Sequence, residues 1–375
     1  MLGAHLGDVI DAINDRREAR RFTGADAGGF QYRRHGVIIA AMETTAPDFT
    51  AAQQRMLDRI EEAPTEAATF QLLQLAASYW KSGQTAEFAE CFRRAYRRGR
   101  CRKISSLLTS RDDMEELARI TQALIDHGCR YSDVISEHAI AEALLGRVDA
   151  VRSLVDYGRF FRQGRCIPPS GSSLEGFNRA VADEIKPKLA FYDEEDASAI
   201  RKSWRNDTAL QAKTPALAAL KALLAREVET YLANLPDDPD HPFIASRPRE
   251  YDLDGWANAS PADGYLLPHI HSRTWATGVY YVTQPEVSRD THGQRGWLRV
   301  GSPPELDGKE PSETGWETRL IEPVAGSFIL MPAYFTHATE PMGVEQERIS
   351  IAFEVQPAEF RDQRPRRSKK RPSQD

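Results

Sequence analysis

The 375-residue sequence has few cysteines, no long apolar run and no large excess of charge of either sign. Its four cysteines, Cys91, Cys101, Cys129 and Cys166, lack C-x-x-C spacing. This argues against a zinc knuckle or a disulfide framework and favours reduced thiols in a cytoplasmic protein. No apolar run approaches about 18 residues, so we expect no membrane-spanning segment. The net charge of −6 gives no reason to expect nucleic-acid binding.

Helical periodicity dominates residues 41–165. The segment Phe70–Gly99 contains two amphipathic stretches on either side of the turn sequence KSGQ. Its apolar positions resemble the packing positions of a tetratricopeptide repeat, and the helices that follow resemble ankyrin-type pairs. The matching positions are Leu72, Ala76, Tyr79, Phe92 and Ala95. We therefore predict an α-helical repeat domain over 41–165, with residues 1–40 unassigned.

Short β-like runs separated by turn residues dominate the second half of the chain. The runs are ATGVYYVT, GWLRVG, ETRLIEP, GSFILMP and RISIAFEV. They predict an antiparallel sandwich or barrel with flanking helices over 172–357, after a boundary at RQGRCIPPSGSSLEG. Residues 358–375 contain seven Lys or Arg residues without apolar periodicity, which predicts a disordered basic tail.

Histidines are placed unusually in this β region. The stretch PHIHSRTWATGVYYV carries His269 and His271 one residue apart, just before a predicted strand. Residues i and i+2 of a strand point to the same face, so the two imidazoles can converge. His337 follows a distant strand, and Arg348 opens the last one. Two histidines on one strand and a third from another are typical of a facial metal site in a jelly roll.

Residues 173–357 resemble the 2-oxoglutarate- and iron(II)-dependent oxygenases of the prolyl-hydroxylase-like type. The resemblance rests on PHIHSRTWATGVYYV, GSFILMPAYFTHATEP and ERISIAFEV, in that order. It implies a double-stranded β-helix (jelly roll), and thus an α+β multidomain chain with an N-terminal helical repeat array. It also implies that His269 and His337 are iron ligands and that Arg348 anchors the C5 carboxylate of 2-oxoglutarate. Tyr281 shares the strand parity of the histidines and is a second candidate contact to that carboxylate.

One position departs from the usual His-x-Asp motif of these enzymes, because His271 stands where the aspartate is expected. Three neutral imidazoles leave a metal site one unit more positive than two histidines and a carboxylate. The alternative is that His271 points away and Asp263 folds in as the third ligand. Halogenases have a small residue at this position, so halogenation is disfavoured. Leu298 is a further candidate for the lining of the pocket.

Each role also has an ordinary structural alternative. The histidines are otherwise polar residues satisfied within a β-sandwich. Arg348 is otherwise part of a surface salt bridge, such as one with Glu347 or Glu354. Tyr280 competes with Tyr281 for the position that faces the pocket.

We expect an Fe(II)- and 2-oxoglutarate-dependent dioxygenase that uses O₂ to hydroxylate an unidentified protein, peptide or small molecule. Ascorbate is a candidate supporting reductant, and a homodimer is a candidate assembly. A protein substrate would dock on the helical repeats, by analogy alone. The alternatives are a non-catalytic repeat adaptor with a degenerate oxygenase domain and a three-His iron dioxygenase independent of 2-oxoglutarate.

Overall fold

A computed structural model describes four stretches of the chain, residues 47–98, 113–192, 199–285 and 293–363. They belong to two compact units that divide between Cys129 and Arg130. Within these stretches no helix combines the length and the apolar character that a bilayer crossing requires. The three cysteines in them are buried free thiols. The unassigned residues 1–40 lie outside the described part of the chain.

The first unit is helical. Its described helices are α1 (Ala51–Glu61), α2 (Thr65–Lys81), α3 (Thr85–Arg98) and α4 (Met114–Asp126). Thr50 starts α1 with a capping box, and Gly83 makes the α2–α3 turn at the predicted KSGQ with φ of +76°. The five predicted repeat positions are all fully buried, as a packed helix pair requires. The type of repeat stays a prediction.

The second unit combines two antiparallel sheets with helices. Its helices are α5 (Ser132–Leu144), α6 (Val148–Leu154), α7 (Tyr157–Phe160), α8 (Leu174–Ile185), α9 (Pro215–Asn234), α10 (Pro242–Ala245) and α11 (Pro311–Thr314). Its strands are β1 (Arg162–Arg165), β2 (Ala190–Tyr192), β3 (Ile200–Arg201), β4 (Ser203–Asn206), β5 (Tyr251–Ser260), β6 (Tyr265–His269), β7 (Ala276–Thr283), β8 (Leu298–Val300), β9 (Arg319–Ile321), β10 (Ser327–Pro332), β11 (His337–Thr339) and β12 (Arg348–Pro357).

The strands form a seven-stranded sheet in the order β1-β10-β7-β12-β5-β4-β2 and a five-stranded sheet in the order β3-β6-β11-β8-β9. Two antiparallel sheets after N-terminal helices agree with the predicted jelly-roll arrangement. Each of the five β-like runs of the sequence contains a strand: β7, β8, β9, β10 and β12.

Strand β12 shows how the sequence assigns the two faces of the larger sheet. Ile349, Ile351, Phe353 and Val355 alternate along it and are fully buried in the hydrophobic core, together with apolar residues of α8 and α9. The intervening positions carry Arg348, Ser350, Ala352 and Glu354 on the opposite face. One face of the sheet therefore supports the core, and the other offers polar groups to a site.

The second unit begins earlier in the chain than the predicted boundary at 166–171. Helices α5–α7 lie before that boundary, yet Val151 and Phe160 belong to the same core as the strand residues Ile329 and Phe353. An amphipathic helix has the same sequence period whether it buries its apolar face against a helix or against a sheet. Periodicity alone therefore does not assign these helices to either unit.

The start of the predicted basic tail is ordered. Residues Ala358–Gln363 form a 3₁₀ helix that follows β12. Phe360 is buried there, and its ring centroid lies 5.7 Å from that of Tyr131. This apolar anchor is the physical reason for the difference from the predicted disorder over 358–375. Residues 364–375 lie outside the described part of the chain.

Candidate metal centre

Three histidines meet where strands β6 and β11 run side by side. His269 is the last residue of β6 and lies opposite His337, the first residue of β11. The backbone N–H of His271 donates a hydrogen bond to the carbonyl of Ala333, 3.0 Å away. The ring centroids are 4.3 Å apart for His269–His337, 5.0 Å for His271–His337 and 5.2 Å for His269–His271. One nitrogen from each ring lies within 4.8 Å of the other two.

The two neighbouring histidines do not share a strand, contrary to the expectation from their spacing. Strand β6 ends at His269, and β7 begins only at Ala276. In the segment between β6 and β7, Arg273 has a φ of +60°, so the alternation of side chains does not continue from one strand to the next. His271 lies between the end of β6 and the turn at Arg273. The parity argument that linked Tyr281 to the histidines fails, because the turn separates His271 from β7.

Each imidazole is oriented by a hydrogen bond at Nδ1. His269 Nδ1 lies 2.7 Å from the Leu267 carbonyl oxygen, and His337 Nδ1 lies 3.0 Å from that of Phe335. His271 Nδ1 lies 2.6 Å from a carboxylate oxygen of Glu354. All three partners are acceptors, so each Nδ1 is assigned the ring proton of the neutral imidazole. Each Nε2 then carries the lone pair that a metal ion needs.

The spacing between two of these nitrogens fits a shared cation. Nε2 of His271 and Nε2 of His337 are 3.2 Å apart. Two lone pairs at this distance repel each other unless a proton or a metal ion lies between them. Nitrogens that are each about 2.1 Å from one metal ion are about 3 Å apart when their bonds meet near a right angle. The donor set therefore fits a divalent metal ion of the kind that imidazoles bind.

Burial favours the metal-binding form of these rings. Burial, with the electrostatic influence of the neighbouring His271 ring, lowers the pKa of His269 to about 4. Burial, with His269 and His271, holds the pKa of His337 well below its ordinary value. Both imidazoles are therefore neutral at neutral pH, and no proton has to leave before a metal ion binds.

Three residues behind His271 carry no signal in the motif and were not predicted as part of the site. The Trp256 ring lies 5.7 Å from the His271 ring at an interplanar angle of 17°. The Arg205 guanidinium lies 4.4 Å from the centre of the Trp256 ring, on a side chain that is itself buried. Burial raises the pKa of Glu354, but the hydrogen bond from His271, with the effects of Thr274 and Arg205, outweighs burial and lowers that pKa. Glu354 is thus a carboxylate at neutral pH.

Arg348 and Tyr281 lie on the same face of the larger sheet as Glu354. Tyr281 pairs with Ser350 across β7 and β12, so it shares the face of the even-numbered β12 residues. Arg348 is 5% exposed and Tyr281 is 1% exposed. Nε and Nη1 of Arg348 and the hydroxyl of Tyr281 have no hydrogen-bond partner among the described residues. Burial raises the pKa of Tyr281, which keeps its phenol neutral. Burial lowers the pKa of Arg348, but a guanidinium stays protonated in proteins, so Arg348 is a cation beside this phenol.

Such unpaired groups are unusual in a folded protein. Buried polar atoms are nearly always hydrogen-bonded, and a buried guanidinium without a counter-charge is costly. A ligand carboxylate supplies two acceptor oxygens and a negative charge, which matches the needs of Arg348 and Tyr281.

The structure separates most of the competing assignments. The Tyr280 hydroxyl donates to Asn178 Oδ1, 2.5 Å away on α8, so Tyr280 faces the core and Tyr281 the site. Asp263 is exposed, with its carboxylate 2.8 Å from Lys202 Nζ, and is not in the histidine cluster. The two candidate salt-bridge partners of Arg348 have other contacts: Glu347 pairs with Lys186 at 3.0 Å, and Glu354 contacts His271. Leu298, the candidate for the pocket lining, is buried in β8.

Residues 254–354 match the model of a family described as "Putative 2OG-Fe(II) oxygenase". The match covers about a quarter of the chain, and it makes this region similar to the 2-oxoglutarate- and iron(II)-dependent oxygenases. The matched residues include the three histidines, Tyr281 and Arg348, so the oxygenase assignment and the geometry concern the same part of the molecule. No curated protein matches the chain.

Solved oxygenase structures are among those similar to this chain. A prolyl-4-hydroxylase from Pseudomonas putida is 16% identical, with a TM-score of 0.36, over 55% of this chain and 97% of that one. A prolyl hydroxylase from Trichoplax adhaerens, in complex with a peptide fragment of hypoxia inducible factor, is 14% identical, with a TM-score of 0.38, over 60% and 94%. HygX from Streptomyces hygroscopicus, with nickel, 2-oxoglutarate and hygromycin B bound, is 15% identical, with a TM-score of 0.35, over 55% and 87%.

Proposed function

We propose that this protein is an Fe(II)- and 2-oxoglutarate-dependent dioxygenase that hydroxylates its substrate. His269, His271 and His337 would hold the iron, and Arg348 with Tyr281 would hold the far carboxylate of 2-oxoglutarate. The observation that carries the proposal is the pairing of two features in one unit. Three imidazoles with free Nε2 lone pairs occur together with a buried guanidinium whose Nε and Nη1 have no partner among the described residues. Binding of 2-oxoglutarate needs both a metal ion and a cation.

The residues of the chain bind and orient, and the bound metal supplies the redox chemistry. When iron is bound, O₂ and 2-oxoglutarate are converted with a substrate C–H group into succinate, CO₂ and a C–OH group. Arg348 fixes one end of the co-substrate with two parallel N–H donors, which sets its orientation as well as its affinity. The Tyr281 hydroxyl donates a third hydrogen bond to the same carboxylate. Burial of both residues keeps water from competing for it.

The test is the turnover of 2-oxoglutarate to succinate by purified protein with Fe(II) and ascorbate. We expect succinate above the level of a His337→Ala variant, which lacks a ligand and keeps the rest of the chain. Absence of succinate, together with absence of metal and 2-oxoglutarate binding, would favour the adaptor alternative. Turnover that survives in Arg348→Ala would favour a three-His dioxygenase that does not use 2-oxoglutarate.

The substrate is a separate proposal that rests on the first unit. Its described helices form a packed array, and helical arrays commonly offer extended surfaces to peptides and proteins. We therefore expect a protein or peptide substrate rather than a small molecule. Incubation of the full chain with Fe(II), 2-oxoglutarate and a peptide library tests this by mass spectrometry. A gain of one oxygen atom on a peptide supports it, and oxidation of small molecules alone contradicts it.

A further inference from the structure

The three imidazoles of the centre differ in what holds their outer nitrogen. His269 and His337 each use a backbone carbonyl two residues earlier in the chain. His271 uses the carboxylate of Glu354, which is 83 residues away in sequence. The one charged acceptor thus lies behind the histidine that occupies the position of the usual aspartate ligand. A neutral backbone carbonyl contributes orientation alone, whereas a carboxylate contributes orientation and a negative charge.

Glu354 is held in place from more than one side. Its carboxylate also accepts a hydrogen bond from the buried Thr274 side chain, and the positive charge of Arg205 lies near it. The His271 ring is in turn stacked on Trp256, whose other neighbour is the Arg205 guanidinium. These contacts fix both the plane of the His271 ring and the direction of its Nδ1–H bond. Such an arrangement limits His271 to one tautomer and one orientation.

We propose that Glu354 is a positioning residue that returns to the metal centre, through His271, the negative charge lost with the aspartate ligand. This inference rests on the proposed metal site. The His271–Glu354 pair acts as one ligand with a net charge of −1, as an aspartate does. It holds Nε2 of His271 toward the metal and raises the basicity of that nitrogen. The same charge moderates the attraction of the centre for the dianionic co-substrate.

The test uses Glu354→Gln, because glutamine keeps an oxygen acceptor for the Nδ1–H group and loses the charge. Metal affinity is measured with Co(II) alone against a chromophoric chelator, and 2-oxoglutarate affinity is measured on the Co(II)-saturated protein. We expect about ten-fold weaker Co(II) binding and at least about two-fold tighter 2-oxoglutarate binding. A local folding defect would weaken both affinities. Weaker Co(II) binding together with tighter 2-oxoglutarate binding therefore identifies an effect of charge.

Glu354→Asp and Glu340→Gln are the matched variants. Glu354→Asp keeps the charge and should recover part of the Co(II) affinity that Glu354→Gln loses. Glu340→Gln removes a half-exposed carboxylate, 3.9 Å from Arg299, and should leave both affinities unchanged. Equal Co(II) and 2-oxoglutarate affinities in wild type and Glu354→Gln would overturn this inference and leave the oxygenase proposal intact. Failure of wild type to bind Co(II) would overturn both.

A second measurement does not depend on the folding of any variant. In Zn(II)-loaded wild type with ¹⁵N-labelled histidine, NMR reports which ring nitrogen carries the proton. We expect His271 to be protonated at Nδ1, with its Nε2 bound to the metal. Coordination through Nδ1, or a His271 ring without metal, would contradict the role given to Glu354.

Discussion

The site has a metal end (His269, His271 and His337) and an anchor end (Arg348 and Tyr281). The two ends differ in whether their buried polar atoms have hydrogen-bond partners within the protein. At the metal end every Nδ1 has an acceptor within hydrogen-bond distance. At the anchor end Nε and Nη1 of Arg348 and the Tyr281 hydroxyl have none among the described residues. A buried group without a partner destabilises the protein unless a ligand completes it. The metal end is thus preorganised by the chain, and the anchor end depends on what binds there.

The largest effect should come from removing a ligand at the metal end. His337→Ala leaves two histidines and should reduce Co(II) binding to below detection, with loss of succinate formation. Competition titration against a chelator measures it. His127→Ala is the control, because this histidine belongs to the first unit and contacts Thr85. Retention of wild-type Co(II) affinity in His337→Ala would contradict the assignment of the centre.

Removing the cation at the anchor end should weaken binding of the co-substrate and not binding of the metal. Arg348→Met should weaken 2-oxoglutarate binding by about 100-fold, in line with the loss of one partner of a buried charge pair, and leave Co(II) binding unchanged. Isothermal titration of the Co(II)-saturated protein measures this. Arg299→Met, which removes a partly exposed arginine of β8, is the matched control. An unchanged affinity in Arg348→Met would mean that the carboxylate is held elsewhere.

The pH dependence of stability should report the buried imidazoles. The folded His269 has a pKa of about 4, against 6.5 when unfolded. As the pH falls from 6.5 to about 4, only the unfolded chain takes up this proton, so stability falls by up to about 1.4 kcal/mol per pH unit. Urea unfolding of the metal-free protein at several pH values measures it. His269→Asn should show a shallower loss, and an equal slope would contradict the depressed pKa.

Loss of Arg348 weakens 2-oxoglutarate binding, but it should increase the stability of the protein in the absence of ligands. Arg348→Met removes a buried charge that has no acidic partner in the described part of the chain, and it should raise the free energy of unfolding of the metal-free protein by about 1–3 kcal/mol. Arg205→Met removes a buried arginine whose Nε is 2.5 Å from Asp207, and should lower it. Urea unfolding of the two variants distinguishes an unpaired from a paired buried arginine. A loss of stability in Arg348→Met would indicate an internal partner.

The smallest effect should come from a single hydroxyl. Tyr281→Phe should weaken 2-oxoglutarate binding by about ten-fold, the lower end of what one hydrogen bond to a charged group contributes. Tyr280→Phe removes the neighbouring hydroxyl, which bonds Asn178, and should lower stability by about 1 kcal/mol without changing that affinity. Titration and urea unfolding of both variants test the comparison. The reverse pattern would assign the site to Tyr280.

The sequence predicted the strands and the residues of the site better than the contacts that bring these residues together. His269, His337 and Arg348 follow from motif order, since each stands at a recognisable strand end. His271 lies beyond the end of β6, in the segment before β7, so strand alternation alone does not account for its place beside His269 and His337. Glu354 was missed as a site residue because its contact with His271 joins positions 83 residues apart. The even positions of RISIAFEV are the available signal, since they place Glu354 on the face of Arg348.

The boundary between the two units was harder to predict for a different reason. Helices α5–α7 have the same amphipathic period as the helices of the first unit, and periodicity does not say which core receives the apolar face. Val151 and Phe160 are fully buried in the core of the second unit. The short strand Arg162–Arg165 carries no β-like pattern, and its pairing with β10 is a long-range contact.

That short strand has a practical consequence for anyone who shortens the protein. Strand β1 covers the outer edge of β10 through four paired residues, and Gly164 leaves room for the Phe328 ring beneath it. A fragment that starts at residue 172 would lose this cover and expose the unpaired backbone groups of β10. An exposed edge of this kind promotes strand pairing between molecules and aggregation. A fragment that starts at Arg130 retains the cover and should remain monodisperse at concentrations where the shorter fragment precipitates.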